Sequence, residues 1–164
     1  METQAIGRRQ ILRGAGVAAG TVAVATVGLT ATASADDGDR GGGLLGAWMI
    51  TRQDDGDTAM ITGVASFAAG GVALFMDINP AGPSFAGAFA QHDHKMFKST
   101  IISGSKADEA FPGAPALTQE VHTEGTRDRD TISGTYSATA FDATSGDPLG
   151  PPLTGKFTGT RIVA

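Results

Sequence analysis

Leu117-Thr118-Gln119-Glu120-Val121-His122-Thr123-Glu124, inside a run from Ala116 to Thr126, changes character at every step. Leu117 and Val121, with Gln119 and Thr123 between and beyond them, fall on one face of an extended chain. Thr118, Glu120, His122 and Glu124 fall on the other, toward water. A period of two is the mark of a strand buried on one side. The stretch from Thr131 to Asp142 repeats it, with Ile132, Tyr136, Ala138 and Ala140 on one face and Ser133, Thr135, Ser137 and Thr139 on the other. Between the two lies a short charged turn, Arg127 to Asp130, so the pair reads as an antiparallel hairpin.

Outward from this hairpin the same grammar holds. Strand one is expected from Leu44 to Arg52, closed by Asp54-Asp55-Gly56-Asp57, and strand two from Thr58 to Phe67, closed by Ala69-Gly70-Gly71. Strand three, Val72 to Ile78, ends in Asn79-Pro80-Ala81-Gly82-Pro83; strand four, Ser84 to Gln91, turns near Asp93 into strand five, Lys95 to Ser103. A longer loop, Gly104 to Pro115, carries prolines that lack the ladder N–H and so stand outside the sheet. After strands six and seven, a Gly/Pro loop from Ala143 to Pro152 leads to strand eight, Leu153 to Val163. No long helical period interrupts the series. The expected fold is all-β: a single antiparallel up-and-down barrel of about eight strands, a number that can close on itself and leave no free edge. In-strand glycines and alanines, among them Gly63, Ala65, Gly87, Gly134, Gly155 and Gly159, mark the bends and close contacts that a small barrel needs.

Ahead of the barrel, Asp36 to Gly43 is rich in Asp and Gly and reads as a flexible linker. Residues 1–35 have the layout of a cleaved signal peptide. Gly7-Arg8-Arg9-Gln10-Ile11-Leu12-Arg13 has the twin-arginine form, and Gly14 to Ala33 is uncharged. The stretch closes on Ala33-Ser34-Ala35, the small-x-small pattern of a cleavage site. Its many Gly and Thr residues make the apolar region mild, which suits twin-arginine export and makes a weak spanning anchor. The expectation is an exported domain, residues 44–164, with the twin-arginine machinery as a transient partner, and secretion or retention in the cell envelope as its destination.

The leader carries Arg8, Arg9 and Arg13 against Glu2, so its removal takes the net charge from −5 to −7. An acidic chain without a basic patch is a poor partner for nucleic acid or an anionic membrane surface. The sequence has no cysteine, which excludes a disulfide framework, a thiolate nucleophile and a zinc–cysteine site. Stability must therefore come from the core.

Strand one carries Gly46-Ala47-Trp48, with the only tryptophan of the chain, and the last strand carries Gly159-Thr160-Arg161-Ile162. In these features the chain resembles the calycins, the lipocalin-like barrel superfamily. That resemblance implies that Arg161 lies over Trp48 and helps close the barrel base, a cation–π contact worth about 0.5–2 kcal/mol. With Ser133-Gly134-Thr135-Tyr136 leading to Phe141-Asp142, the chain also resembles a group of small exported bacterial proteins of unassigned function.

Few residues suggest chemistry. His92 and His94 flank Asp93 and share a face of an extended chain, but Gln91 and Lys95 surround them and no third ligand is near, so a polar turn is expected rather than a metal site. His122 lies between Glu120 and Glu124 on a polar face, without a nucleophile motif to serve. Asp54-Asp55-Gly56-Asp57 lacks the later bidentate acid of a calcium loop and reads as a hairpin turn. No glycine-rich phosphate loop and no haem or flavin signature is present, so no cofactor is expected. The soft apolar residues are Met49, Met60, Met76 and Met96 with Phe67, Phe75, Phe85, Phe89 and Phe97. They either fill the barrel or line a cavity. Phe67, Phe75, Phe85, Phe89 and Tyr136 are the residues expected at such a cavity. The leading functional expectation is a binding module for a small apolar molecule. The alternatives are a barrel enzyme of cyclase or isomerase type, marked by a buried ionisable group of perturbed pKa, and a cell-surface interaction protein.

Overall fold

The computed structural model describes residues 43–78, 83–92, 95–107 and 115–163. The twin-arginine motif at Arg8 and Arg9, the cleavage site at Ala33 and Ala35, most of the linker, and His94 lie outside these residues. Among them stand eight strands in chain order: β1 (Gly46–Asp54), β2 (Met60–Ala68), β3 (Val72–Asp77), β4 (Ser84–His92), β5 (Met96–Ser105), β6 (Leu117–Asp128), β7 (Thr131–Asp142) and β8 (Leu153–Arg161). Each pairs antiparallel with its neighbours, and β8 returns to β1, giving a closed up-and-down barrel. Trp48 faces Arg161, Ile50 faces Gly159 and Asp54 faces Gly155 across this closing seam. Closure leaves no strand edge unpaired, which matters for a chain that has no disulfide to protect it.

The alternation read at β6 and β7 is the alternation observed. Leu117 and Gln119 are buried, and His122 and Glu124 are exposed. The strand ends differ from the expectation by at most two residues. At β1 the difference has consequences. Asp54 belongs to the strand and is buried rather than standing in a solvated turn, because it continues the inward series Trp48, Ile50, Arg52.

The methionines stand opposite to the expectation that they fill or line the interior. Met49, Met60, Met76 and Met96 are all substantially exposed. The cause is parity. Met49 lies between inward Trp48 and Ile50, Met76 between inward Phe75 and Asp77, and Met96 next to inward Phe97. Met49, Val64 and Met76 instead form an apolar row on the outer face, each in register with the next across β1, β2 and β3.

One end of the barrel is sealed. Leu44, fully buried, precedes β1, and its carbonyl accepts a hydrogen bond from Trp48 Nε1 at 2.8 Å. Trp48 is itself fully buried. The Arg161 guanidinium sits over the Trp48 ring at 4.3 Å from its centroid. It donates to the carbonyls of Leu45 and Gly43, both at 2.7 Å, and to Asp130 at 3.1 Å. This arginine thus ties the incoming chain to the last strand beneath the core. The connections at this end are short. The β2–β3 turn uses Gly70 and Gly71 at φ 85° and 80°, a region that residues with a Cβ rarely enter. The opposite end carries the longer β3–β4, β5–β6 and β7–β8 connections.

Several in-strand glycines let side chains two or three strands apart meet over them. Phe97 on β5 is in register with Gly125, Gly125 with Gly134, and Gly134 with Phe157. The rings of Phe97 and Phe157 pass over both glycines to within 6.2 Å. Gly159 does the same for Ile50 and Ile132. A Cβ at Gly134 would overlap the Glu124 carbonyl oxygen and lie 2.6 Å from the Gly125 Cα. Backbone atoms cannot step aside. Gly134→Ala is therefore expected to lower stability by about 1–3 kcal/mol, the usual cost of overpacking. Urea titration checks this, and an unchanged midpoint would show that the β6–β7 pair can separate freely.

Candidate functional site

Toward the long-loop end the barrel interior is open. A cavity of about 100 Å³ lies there, walled largely by Phe67, Phe75, Phe85, Phe97 and Phe157. Tyr136 also borders it, and Pro83 and Leu153 stand at its outer rim. Of the residues expected at a cavity, Phe67, Phe75, Phe85 and Tyr136 line it. Phe89 does not border it. Its ring packs edge-on against Phe67 at 5.1 Å and supports that wall from behind. Phe67 meets Phe97 in the same way at 5.6 Å. Edge-to-face contacts of this kind fix ring positions, so the apolar wall is built rather than loosely collapsed.

Arg52 on β1 and Tyr136 on β7 border the cavity, and they tie it to two buried carboxylates that do not line it, Asp54 on β1 and Asp77 on β3. Arg52 Nη2 donates to Asp77 Oδ2 at 3.1 Å, and Arg52 Nη1 lies 3.8 Å from Asp54 Oδ1. The Tyr136 hydroxyl donates a short hydrogen bond to Asp54 Oδ1. The guanidinium carbon stands 5.9 Å from the Phe75 centroid and 6.0 Å from that of Tyr136, so the cation is sandwiched between aromatic faces.

A glycine again allows one approach. Asp54 is in register with Gly155, and Gly155 with Tyr136, so the phenol reaches across β8 to the carboxylate. A Cβ at Gly155 would lie 2.5 Å from Tyr136 Cζ. On the other side, Arg52 reaches Asp77 across β2, where Gly63 is the residue paired with Asp77.

Burial dominates the electrostatics of the cluster. It raises the Asp77 carboxyl above the ordinary carboxylate range, against the opposing pull of Arg52 and with help from the Asp54 charge. Burial also raises the Tyr136 phenol well above its usual value, and the hydrogen bond to Asp54 and that residue's charge push the same way. Tyr136 therefore stays a protonated donor throughout the physiological range.

Polar groups on the β5–β6 wall complete the site. Ser99 and Thr123 bond to each other at 2.6 Å. Gln119, only 4% exposed, borders the cavity, and its Nε2 has no hydrogen-bond partner among the described residues. Arg52 Nε, on the charged side of the same cavity, is likewise buried without one.

The two described histidines, His92 and His122, lie elsewhere. His92 is exposed at the end of β4. His122 is on the outer face, with Nε2 2.9 Å from Glu120 and Nδ1 3.0 Å from the Thr100 hydroxyl. Sequence reasoning passed over Arg52 and Asp77 and placed Asp54 in a hairpin turn. The signal was available: counting in twos from Trp48 puts Arg52 and Asp54 inside, and counting from Phe75 puts Asp77 inside. Polar residue type concealed what parity showed. No family model matches the chain, and a search of curated proteins returned no match.

Proposed function

We propose that this protein is an exported, calycin-like binding barrel that holds a small and mostly apolar molecule. The observation that carries the reading is the cavity of about 100 Å³ with its aromatic wall, set between a sealed end and an end of longer loops. An engineered apolar cavity of ~150 Å³ takes up benzene, so a space of this order suits a ligand of one small ring or a short chain. The stack of Arg161 on Trp48 supports the calycin-like part of the reading. The twin-arginine layout of residues 1–35 supports export of a domain already folded around its ligand.

Native mass spectrometry on mature protein recovered from its exporting host tests this. The expected result is extra mass that disappears on denaturation, with a protein mass matching Asp36 to Ala164. A native mass equal to the bare chain counts against a resident ligand.

A second reading has one specific observation in its favour. Asp77, with its carboxyl raised by burial, and the Tyr136–Asp54 pair are buried ionisable groups beside the cavity. Such groups are what a barrel isomerase or cyclase would need for moving a proton. Turnover of a bound compound, seen as a product of equal mass, would favour this reading over simple binding.

A further inference from the structure

We propose that the ligand of this cavity carries a neutral carbonyl oxygen, which accepts a hydrogen bond from Gln119 Nε2 or Arg52 Nε, the unpartnered donors of its lining residues. The inference rests on the binding reading above and names the chemistry of its ligand.

Two donors point to an acceptor. Gln119 Nε2 and Arg52 Nε are both buried, both belong to residues bordering the cavity, and neither has a partner among the described residues. A buried N–H without an acceptor is costly, and protein interiors rarely retain one without a reason. Arg52 bonds Asp77 through Nη2 at 3.1 Å and stands 3.8 Å from Asp54 through Nη1. Its inner Nε is buried without a partner among the described residues.

Charge decides the kind of acceptor. One guanidinium stands against two carboxylates, so the cluster has no positive charge to offer an anion. A carboxylate or phosphate ligand would enter an apolar space beside Asp54 and Asp77 and be repelled. A cation would find the unpartnered groups to be donors, which it cannot use. A carbonyl oxygen has lone pairs and no proton of its own, so it accepts from such a donor without bringing in an unsatisfied donor. The rest of the ligand meets phenylalanine and is apolar.

Two probes of one shape isolate the oxygen: cyclohexanone and methylenecyclohexane, which differ only in C=O against C=CH₂. Binding to the mature protein is followed by calorimetry and by the side-chain amide signals of Gln119 in a ¹⁵N-labelled sample. The ketone is expected to bind roughly five- to tenfold more tightly, as one or two new hydrogen bonds to buried donors predict. It is also expected to shift the Gln119 amide signals, which the alkene leaves nearly in place.

Gln119→Leu keeps the shape and removes the donor. It should abolish most of the preference for the ketone over the alkene. Arg52→Lys keeps the charge toward Asp77 but removes Nε, and should reduce the preference if Gln119→Leu proves unstable. Equal affinity of the two probes for the unaltered protein, or a preference that survives in both variants, overturns the carbonyl proposal and leaves the binding reading standing. Failure of both probes to bind overturns the two together.

Discussion

Replacing Trp48 with alanine is expected to lower the unfolding free energy by about 3–5 kcal/mol, the range for truncating a fully buried large aromatic. Trp48 is the most deeply placed side chain of the sealed end. Its ring is fully buried, its Nε1 bonds the Leu44 carbonyl at 2.8 Å, and Arg161 covers its face at 4.3 Å. Truncation would open a hole beneath the core and strip the guanidinium of its aromatic partner. Leu44 would lose the donor that holds the incoming chain.

Urea denaturation of Trp48→Ala, Arg161→Met and the double variant separates these parts. The coupling between the two residues should be about 0.5–2 kcal/mol if the stack contributes as a cation–π contact. A coupling near zero would mean that Arg161 acts through its bonds to the Gly43, Leu45 and Asp130 oxygens alone. A single change at Trp48 that left the midpoint untouched would sink the idea that this end closes the barrel.

Arg52→Met is expected to cost about 3 kcal/mol near neutral pH, and the loss should shrink as the pH falls. The magnitude is the lower end of what removing one partner of a buried ion pair costs, since 22% of the Arg52 side chain remains exposed. The pH dependence follows from Asp77. Its carboxyl is raised in the folded protein, so the fold binds its proton more tightly than the unfolded chain does. The stability this contributes is present below the ordinary carboxylate pKa of 3.8 and is lost as the pH rises through the elevated value. Arg52 is what limits that rise, by its charge and its hydrogen bond. Without it, the Asp77 pKa moves higher and the costly window widens toward neutrality.

Stability of the variant measured near pH 7 and again at about pH 4 should therefore differ from the parent most at the higher value. A deficit equal at both would assign the loss to packing against Phe75 and Tyr136 instead of to an abandoned carboxylate.

These two residues mark the two ends of the barrel, and they were not equally legible. Trp48 and Arg161 stand out in the sequence as the lone tryptophan and a cation on the final strand. Arg52, Asp54 and Asp77 do not, because charged residues near strand ends ordinarily face water. Asp54 in particular shares its neighbourhood with Asp55, Gly56 and Asp57, a composition that reads as a turn. The chain does turn there, but one residue later.

Alternation by itself determined the class of fold, the order of the strands and the inward face of β6 and β7, because a period of two is a local property of extended backbone. It also contained the outward placement of the methionines, although apolar character drew attention away from parity. What only the tertiary structure decided is which inward residues meet. Asp54 and Tyr136 are 82 positions apart, and Arg52 and Asp77 are 25 apart. The first meeting depends on barrel closure, on the register of β1 against β8 and on Gly155 being small enough to reach across, and the second on the pairing of β1, β2 and β3. Register is a relation between strands, set by how every pair packs around the ring at once. No window of sequence holds that information, so the charged cluster and the unpartnered donors beside it became visible only once the ring was closed.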